Sequence, residues 1–177
     1  VIRPKWQSDM DWHEALQRLH AGNERFVEGK SVQPHRALPW RHRWVGETKP
    51  LATILGCSDS LVAPELIFDL GFGDLFVIRV AGNVVARSVL GSMQFAGAHL
   101  GTQLFIVLGH EGCGAVEAAL EERRGKAGQP GNIEVLMRLI RPALANLDCQ
   151  AQGPATLLAA VEANVRWSVR QIIAMPG

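Results

Sequence analysis

Three short apolar runs, each bounded by glycine, proline or polar residues, constrain the fold of this chain more than any other feature. They cover positions 51–57, 75–80 and 103–109. Runs of this length and composition are typical of strands buried on both faces. Helical patterns follow each run, at 62–70, 86–100 and from Cys113 to about Arg123. Strands that alternate with helices predict a parallel sheet with right-handed crossover connections.

The sequence therefore predicts an α/β fold with three layers (α/β/α), a mainly parallel central sheet and an N-terminal helical arm. We interpret the whole chain, 1–177, as one domain, with a helical arm and extended loop at 1–50 and an α/β core at 51–177. Two further helices are expected at 133–147 and 155–175. A length of 177 residues with 47% hydrophobic content suffices for one domain with a substantial buried core.

The N-terminal arm should begin with a helix capped by an aspartate, Asp9 or Asp11. Four apolar residues recur near helical spacing and should form one apolar stripe, namely Trp12, Leu16, Leu19 and Phe26. The stripe could pack on the core of this chain or lie across a partner subunit. The segment 29–50 contains Pro34, Pro39 and Pro50 and has no clear period, which predicts an extended stretch over the surface. We expect His35 and His42 in this stretch to be exposed loop histidines.

Charge and hydropathy exclude several classes of function. The formal net charge is +1, and basic and acidic residues are interleaved, which argues against a nucleic-acid partner. No apolar run approaches the ~20 residues that a membrane span needs, so no membrane partner is expected. The N-terminus lacks the pattern of a secretory signal, and we predict a cytoplasmic location.

Residues that can bind a metal ion stand at the ends of two predicted strands. Cys57 ends the first strand and His110 follows the third, so both should lie at the carboxyl edge of the sheet. Cys113 lies three residues after His110, across a turn that enters a helix, and both side chains can reach one ion. Two thiols and an imidazole suit Zn²⁺, and three protein ligands leave the fourth position for water. With Asp59 two residues after Cys57, this pattern predicts a zinc site.

A redox or sulfur-transfer cysteine is the competing interpretation of the same residues. Cys57 after a strand would suit that role, but His110 and Cys113 would then have no function. Cys149 has no companion motif, and we interpret it as a buried, idle thiol.

Four segments together resemble one known family. They are Cys57-Ser58-Asp59-Ser60, the sequence from Gly73 to Arg79, Ala81-Gly82-Asn83, and the sequence from Gly109 to Gly114. The combination is similar to the β-class carbonic anhydrases, zinc enzymes that interconvert carbon dioxide and bicarbonate. The resemblance implies that Zn²⁺ is bound by Cys57, His110 and Cys113, and that Asp59 is the catalytic carboxylate beside the metal.

The same resemblance implies a substrate pocket and an oligomer. The pocket would include Phe76, Phe95, Gly114 and Thr48, with Thr48 where the family often has glutamine and Phe95 where it has tyrosine. The resemblance also implies self-association as a dimer or tetramer, in which the N-terminal helix crosses to the neighbouring subunit.

Leu61 is the main departure from the family pattern. The family motif reads Cys-x-Asp-x-Arg, and its arginine pairs with the aspartate and draws it away from zinc. Leu61 occupies the arginine position here, so Asp59 loses a charge-assisted restraint and becomes a possible fourth zinc ligand. A closed four-ligand site is typical of structural zinc. We therefore predict weak or absent carbon dioxide hydration, unless another cation such as Arg79 or Arg87 restrains Asp59.

Two other functions remain open at this point. The chain can be a catalytically silent zinc-binding homologue that acts as a bicarbonate-sensing or assembly module. It can also be a related hydrolase that acts on carbonyl sulfide or carbon disulfide.

Overall fold

The computed structural model describes residues 10–43, 48–151 and 153–174. A single sheet is found in these residues, with strand order β2-β1-β3. The strands and α-helices alternate along the chain after the N-terminal segment. In chain order the elements are α1 (Trp12–Val27), α2 (Leu38–Arg43), β1 (Ala52–Gly56), α3 (Pro64–Ile67), β2 (Leu75–Arg79), α4 (Arg87–Phe95), β3 (Phe105–Leu108), α5 (Gly114–Arg123), α6 (Ile133–Ile140) and α7 (Pro154–Ile173).

The sheet is parallel, with β1 at its centre. Every residue of β1 is buried, as its mostly apolar sequence predicts, including the polar Thr53. Backbone hydrogen bonds set the register, from Leu51 N to Asp74 O at 2.8 Å and from Thr53 N to Leu104 O at 2.9 Å. The α/β class predicted from the sequence is confirmed.

Contacts between Cα atoms divide the chain into two compact units, each built from separate segments. The first unit comprises Val1–Leu55, Ser60–Ile78 and Gly91–Ile106, and the second comprises Gly56–Asp59, Arg79–Leu90 and Val107–Gly177. In the first unit α1 packs against α3. In the second unit α5, α6 and α7 pack together and contact the 3₁₀ turn Ala81–Asn83. The predicted division into one domain with an arm stays a prediction.

Helix α1 begins as expected, but its buried face differs from the predicted stripe. The Asp11 carboxylate accepts hydrogen bonds from the backbone N–H of His13 and of Glu14 and caps the helix. The fully buried residues are Ala15, Leu19 and Gly22. Trp12 and Phe26, at the two ends of the predicted stripe, are 45% and 43% exposed, so the described residues do not cover the stripe along its whole length. Its contact with a partner subunit stays a prediction. Gly22 lies on the buried face, where a Cβ atom would be 1.8 Å from the Phe68 carbonyl oxygen.

The segment 29–50 is not extended throughout, since α2 lies within it. Pro39 is compatible with this helix because the first turn of a helix needs no N–H from that position. His42 is exposed, as expected. His35 is not a solvated loop histidine, because its Nδ1 lies 2.9 Å from the Asp74 carboxylate and its ring lies against Trp40.

Three predicted helices differ from the observed ones in length or in helix type. The helix predicted at 62–70 is limited to Pro64–Ile67. The one predicted at 86–100 is α-helical to Phe95 and continues as a π-helix over Ala96–Leu100. The one predicted at 133–147 changes at Arg141–Leu144 to a 3₁₀ turn, where Pro142 cannot donate an α-helical hydrogen bond.

No described helix combines the length and the apolar character that a membrane-spanning helix requires. The cytoplasmic location stays a prediction.

Candidate metal centre

Cys57 follows directly after β1, and its surroundings fix both its main chain and its sulfur. The Arg79 guanidinium donates from Nε to the Cys57 carbonyl oxygen at 2.9 Å and also donates to the Asp59 carbonyl oxygen. The backbone N–H of Gly82 points to Cys57 Sγ, with an N to S distance of 3.4 Å. The thiol is therefore held in place by β1, by Arg79 and by the turn after β2.

His110 and Cys113 lie on the turn that joins β3 to α5. Gly112 has a φ of 66°, in the left-handed region that glycine adopts without strain. This conformation reverses the chain between the two side chains. Cys113 is the N-cap residue of α5, and its carbonyl oxygen accepts the first helical hydrogen bond, from Glu117 N at 2.9 Å. Strand β3 and helix α5 thus deliver both residues to one place in the second unit.

The ligand atoms of Cys57, His110 and Cys113 all lie within 4.8 Å of one another. The two sulfur atoms are 4.0 Å apart, too far for a disulfide, whose S–S bond is about 2.05 Å long. Two thiolates on a tetrahedral Zn²⁺, with Zn–S bonds of about 2.3 Å, lie about 3.8 Å apart. The observed separation is close to this value, and the group could hold a metal ion.

The imidazole of His110 has the orientation of a metal ligand. Its Nδ1 lies 2.9 Å from the Glu111 carbonyl oxygen and donates a hydrogen bond to it. Its Nε2 is buried and has no hydrogen-bond partner among the described residues. A backbone carbonyl that binds one ring nitrogen leaves the other as a neutral electron-pair donor. A buried imidazole nitrogen without a partner, next to two thiols, fits a thiophilic metal such as zinc.

The environment affects the two thiols in opposite ways. Burial favours a raised pKa for Cys57, but the backbone N–H groups of Asp59 and Gly82, together with His110 and Cys113, outweigh it and lower the pKa. Burial raises the pKa of Cys113, and the neighbouring Cys57 adds to this effect against the N–H groups of Val116 and Ala115. The first thiolate is thus favoured at Cys57, and a bound cation would favour the second.

Asp59 is half-buried and belongs to the same unit as the three ligands. Among the described residues, its carboxylate is not part of the group of mutually close ligand atoms. Leu61, predicted to stand at the position of the family arginine, is 88% exposed and belongs to the first unit. The roles predicted for Asp59, as catalytic carboxylate or as fourth ligand, stay predictions.

The residues predicted to border the substrate are divided between the two units. Phe76 and Phe95 lie in the first unit, with ring centroids 6.4 Å apart. Thr48 also belongs to the first unit and is half-buried. Gly114 begins α5 in the second unit and is exposed. The composition of the substrate pocket stays a prediction.

The sequence prediction missed two residues that contact Cys57, namely Arg79 and Gly82, and two that bind the turn containing Gly82, namely Asn164 and Ser168. Arg79 was considered only as a partner of the Asp59 carboxylate, and Gly82 only as part of a turn. Asn164 and Ser168 on α7 donate hydrogen bonds to carbonyl oxygens of this turn. One feature of the sequence could have indicated Asn164 and Ser168. They are polar residues four apart on the face of α7 that also carries the buried residues Ala160 and Val161. The predicted burial of Cys149 is confirmed, and its sulfur accepts a hydrogen bond from Arg123 Nε at 3.1 Å.

Comparison with known proteins places the chain in a family. The family model described as carbonic anhydrase matches residues 52–177. Carbonic anhydrase 2 of Mycobacterium tuberculosis is 49% identical over 106 residues, which cover 60% of this chain and 51% of that protein. The chain spans about half the length of the curated relatives that it matches.

Solved structures show the same fold. The β-carbonic anhydrase CcaA is 26% identical, with a TM-score of 0.69 over 91% of this chain and 74% of that chain. A tetrameric β-carbonic anhydrase of Sordaria macrospora is 23% identical, with a TM-score of 0.69 over 93% of this chain and 82% of that chain. The match of the family model to most of the sequence, together with this fold, shows that the chain belongs to the carbonic anhydrase family, in its β class.

Proposed function

We propose that this chain is a zinc-dependent carbonic anhydrase that interconverts carbon dioxide and bicarbonate, with release or uptake of a proton. The observation that carries the proposal is the group Cys57, His110 and Cys113 in a chain of the carbonic anhydrase family. The His110 Nε2 atom of this group has no hydrogen-bond partner among the described residues. The curated relatives carry the name carbonic anhydrase, which supports the same reaction here.

In this proposal each residue of the centre has a defined task. The thiolates of Cys57 and Cys113 and the Nε2 atom of His110 hold Zn²⁺, and the Glu111 carbonyl keeps the imidazole oriented. Zinc with three protein ligands acts as a Lewis acid that activates water near neutral pH, which is the chemistry that hydration of carbon dioxide needs. Arg79 keeps the main chain of Cys57 and Asp59 in place, so the sulfur stays aligned with its partners.

We further propose that Asp59 is the carboxylate beside the metal and that Leu61 impairs the reaction. An arginine at position 61 would offer Asp59 a bidentate, charge-assisted partner, and a leucine cannot. The high exposure of Leu61 supports this view, since an arginine side chain would have room at that position. A carboxylate that lacks this restraint competes with water for the fourth position on zinc.

The direct test is carbon dioxide hydration, measured by stopped flow for the unsubstituted chain and for Leu61→Arg. We expect a low rate for the unsubstituted chain and an increase of about tenfold or more for Leu61→Arg, equivalent to about 1.4 kcal/mol in the barrier. Val32→Arg is the matched control, because Val32 is an exposed apolar residue in the segment after α1 and the variant adds the same charge. This control should keep the low rate.

Zinc content is measured for every variant, so that loss of metal is not mistaken for loss of chemistry. Cys113→Ser should lose both zinc and hydration activity, whereas Cys149→Ser should keep the zinc of the unsubstituted chain. An unsubstituted chain as fast as active members of the family would contradict impairment by Leu61. A Cys113→Ser variant that keeps full activity would contradict the zinc centre itself.

Substrate contacts and self-association complete the proposal. We assign the apolar wall of the substrate site to Phe76 and Phe95, with Thr48 and Gly114 also at the site, and the contact of the two aromatic rings supports their common role. We also propose self-association as a dimer or tetramer, supported by the tetrameric relative from Sordaria macrospora. Exposed Trp12, Phe26 and Val27 on α1 are available for contact with a second copy.

A further inference from the structure

Helix α7 carries two polar residues on its buried face, and both bind the turn next to Cys57. Asn164 and Ser168 are each 1% exposed and lie four residues apart, so they share one side of the helix. Asn164 Nδ2 donates to the Gly82 carbonyl oxygen at 2.8 Å, and Ser168 Oγ donates to the Asn83 carbonyl oxygen at 3.1 Å. Two consecutive carbonyl groups of the turn are therefore held by one helix.

The turn Ala81–Asn83 has a backbone conformation that depends on such support. Gly82 and Asn83 have φ angles of 68° and 43°, both in the left-handed region, which costs free energy for a residue with a side chain. A Cβ atom on Gly82 would lie 2.9 Å from Ile140 Cδ1 and 3.2 Å from Ala115 Cβ. Side chains of α5 and α6 therefore pack closely against the turn. The turn thus lies between three helices of the second unit.

The turn delivers one N–H group to the metal centre. The amide nitrogen of Gly82 lies 3.4 Å from Cys57 Sγ, and this same residue accepts the hydrogen bond of Asn164 through its carbonyl oxygen. If the peptide groups of the turn rotate, the N–H moves away from the sulfur. The N–H to sulfur bond stabilises a metal-bound thiolate and orients its lone pairs.

We propose that Asn164 and Ser168 are positioning residues for the metal centre, which hold the turn Ala81–Asn83 so that the Gly82 N–H binds Cys57 Sγ. This inference rests on the proposed function, because it assumes that Cys57 is a zinc ligand. Neither residue touches a ligand atom of the centre by the hydrogen bonds described, and each acts through the backbone of the turn.

The test measures the affinity for zinc and the ligands of the bound metal, and not only the rate of hydration. The dissociation constant for Zn²⁺ is measured by competition with a chromogenic chelator for the unsubstituted chain, Asn164→Asp and Ser168→Ala. Co²⁺ is then substituted, and the sulfur-to-cobalt charge-transfer absorption reports on the sulfur ligands directly. Thr102→Val is the matched control. Thr102 is also buried, and the substitution removes its side-chain hydrogen bond of 2.8 Å to Thr53 in the first unit.

We expect zinc affinity to fall about tenfold or more in Asn164→Asp and Ser168→Ala, with a shifted cobalt charge-transfer absorption. Thr102→Val should lower the melting temperature but keep the zinc affinity and the cobalt spectrum. If Asn164→Asp does not fold, Ser168→Ala decides the question, because it removes one hydroxyl group only.

Two results would overturn the inference while leaving the proposed function intact. One is zinc affinity within twofold of the unsubstituted chain, with an unchanged cobalt spectrum, in Ser168→Ala. The other is an equal loss of affinity in Thr102→Val, which would make the effect one of general stability. An unsubstituted chain that binds no zinc would instead overturn both the proposed function and this inference.

Discussion

Asp69 shows how a single buried charge can hold a segment that has no regular structure. Its carboxylate is fully buried in the first unit and accepts hydrogen bonds from Arg25 Nε at 2.6 Å, Gln33 N at 2.7 Å and Val32 N at 3.1 Å. Burial favours a raised pKa, but the Arg25 guanidinium and the two backbone N–H groups outweigh it and hold the pKa of Asp69 below its ordinary value. The segment that leads from α1 to α2 is fixed by this residue.

Asp69→Asn should destabilise the fold near neutral pH by about 2 kcal/mol, because the amide cannot accept all three hydrogen bonds and leaves Arg25 without its charge partner. Asparagine tolerates the φ of 48° at this position, so backbone strain does not confuse the comparison. A carboxylate with a lowered pKa in the folded state contributes stability above its unfolded pKa and loses it as the pH falls through the folded pKa. The difference between the two proteins should therefore shrink in acid.

Urea unfolding followed by tryptophan fluorescence at a series of pH values measures this difference. Asp148→Asn serves as the control, since Asp148 is exposed and binds only the nearby Gln150 N–H in the described contacts. A difference for Asp69→Asn that stays constant from neutral pH into acid would show that the charge of Asp69 is not what stabilises the segment.

At the scale of elements, the contact between α1 and α3 depends on the absence of a side chain. A Cβ atom on Gly22 would lie 1.8 Å from the Phe68 carbonyl oxygen, which is backbone and cannot move aside like a side chain. Gly91 in α4 offers the opposite case, since a Cβ atom there would meet nothing within 4 Å. Alanine substitutions at these two glycines can therefore distinguish the effect of helix propensity on stability from the effect of close packing.

Gly22→Ala should destabilise the chain by about 1–3 kcal/mol, although alanine is the better helix former, because the two helices must separate. Gly91→Ala should stabilise it by about 0.5–1 kcal/mol through helix propensity alone. Thermal and urea unfolding of both variants check these signs. Equal stabilisation by the two substitutions would mean that α1 does not approach the backbone at Phe68 as described.

The elements also show what the sequence could and could not predict. The three strands were predicted because each is an apolar run with clear ends, and the centre at Cys57, His110 and Cys113 was predicted because these residues follow such runs. Helix α2 is not predictable from the proline pattern, because Pro39 is compatible both with extended chain and with the first turn of a helix.

Contacts between residues far apart in sequence were beyond the local patterns. His35 binds Asp74 across 39 positions, and no local pattern marks that pairing. Asn164 reaches Gly82 across 82 positions and Ser168 reaches Asn83 across 85 positions, so only the folded chain reveals how α7 supports the centre. Hydrogen bonds of this kind, from a side chain to a distant backbone group, leave no periodic pattern in the sequence that would predict them.

At the scale of the whole molecule, family membership and local chemistry agree. The family model covers residues 52–177, and all three proposed ligands lie within that range and within the second unit. The first unit holds Leu61, whose place at the arginine position of the Cys-x-Asp-x-Arg motif stays a prediction. The proposed metal binding and the proposed loss of catalytic rate concern different residues and need separate measurements.

X-ray absorption at the zinc edge, recorded on the purified chain after loading with zinc, shows directly which atoms bind the metal. We predict one zinc per chain, with two sulfur neighbours at about 2.3 Å and nitrogen or oxygen neighbours at about 2.0–2.1 Å. Cys57→Ser should retain only one sulfur neighbour, and Cys149→Ser should retain both. A chain that binds no zinc, or a zinc shell without sulfur, would contradict the claim that Cys57, His110 and Cys113 form a zinc centre.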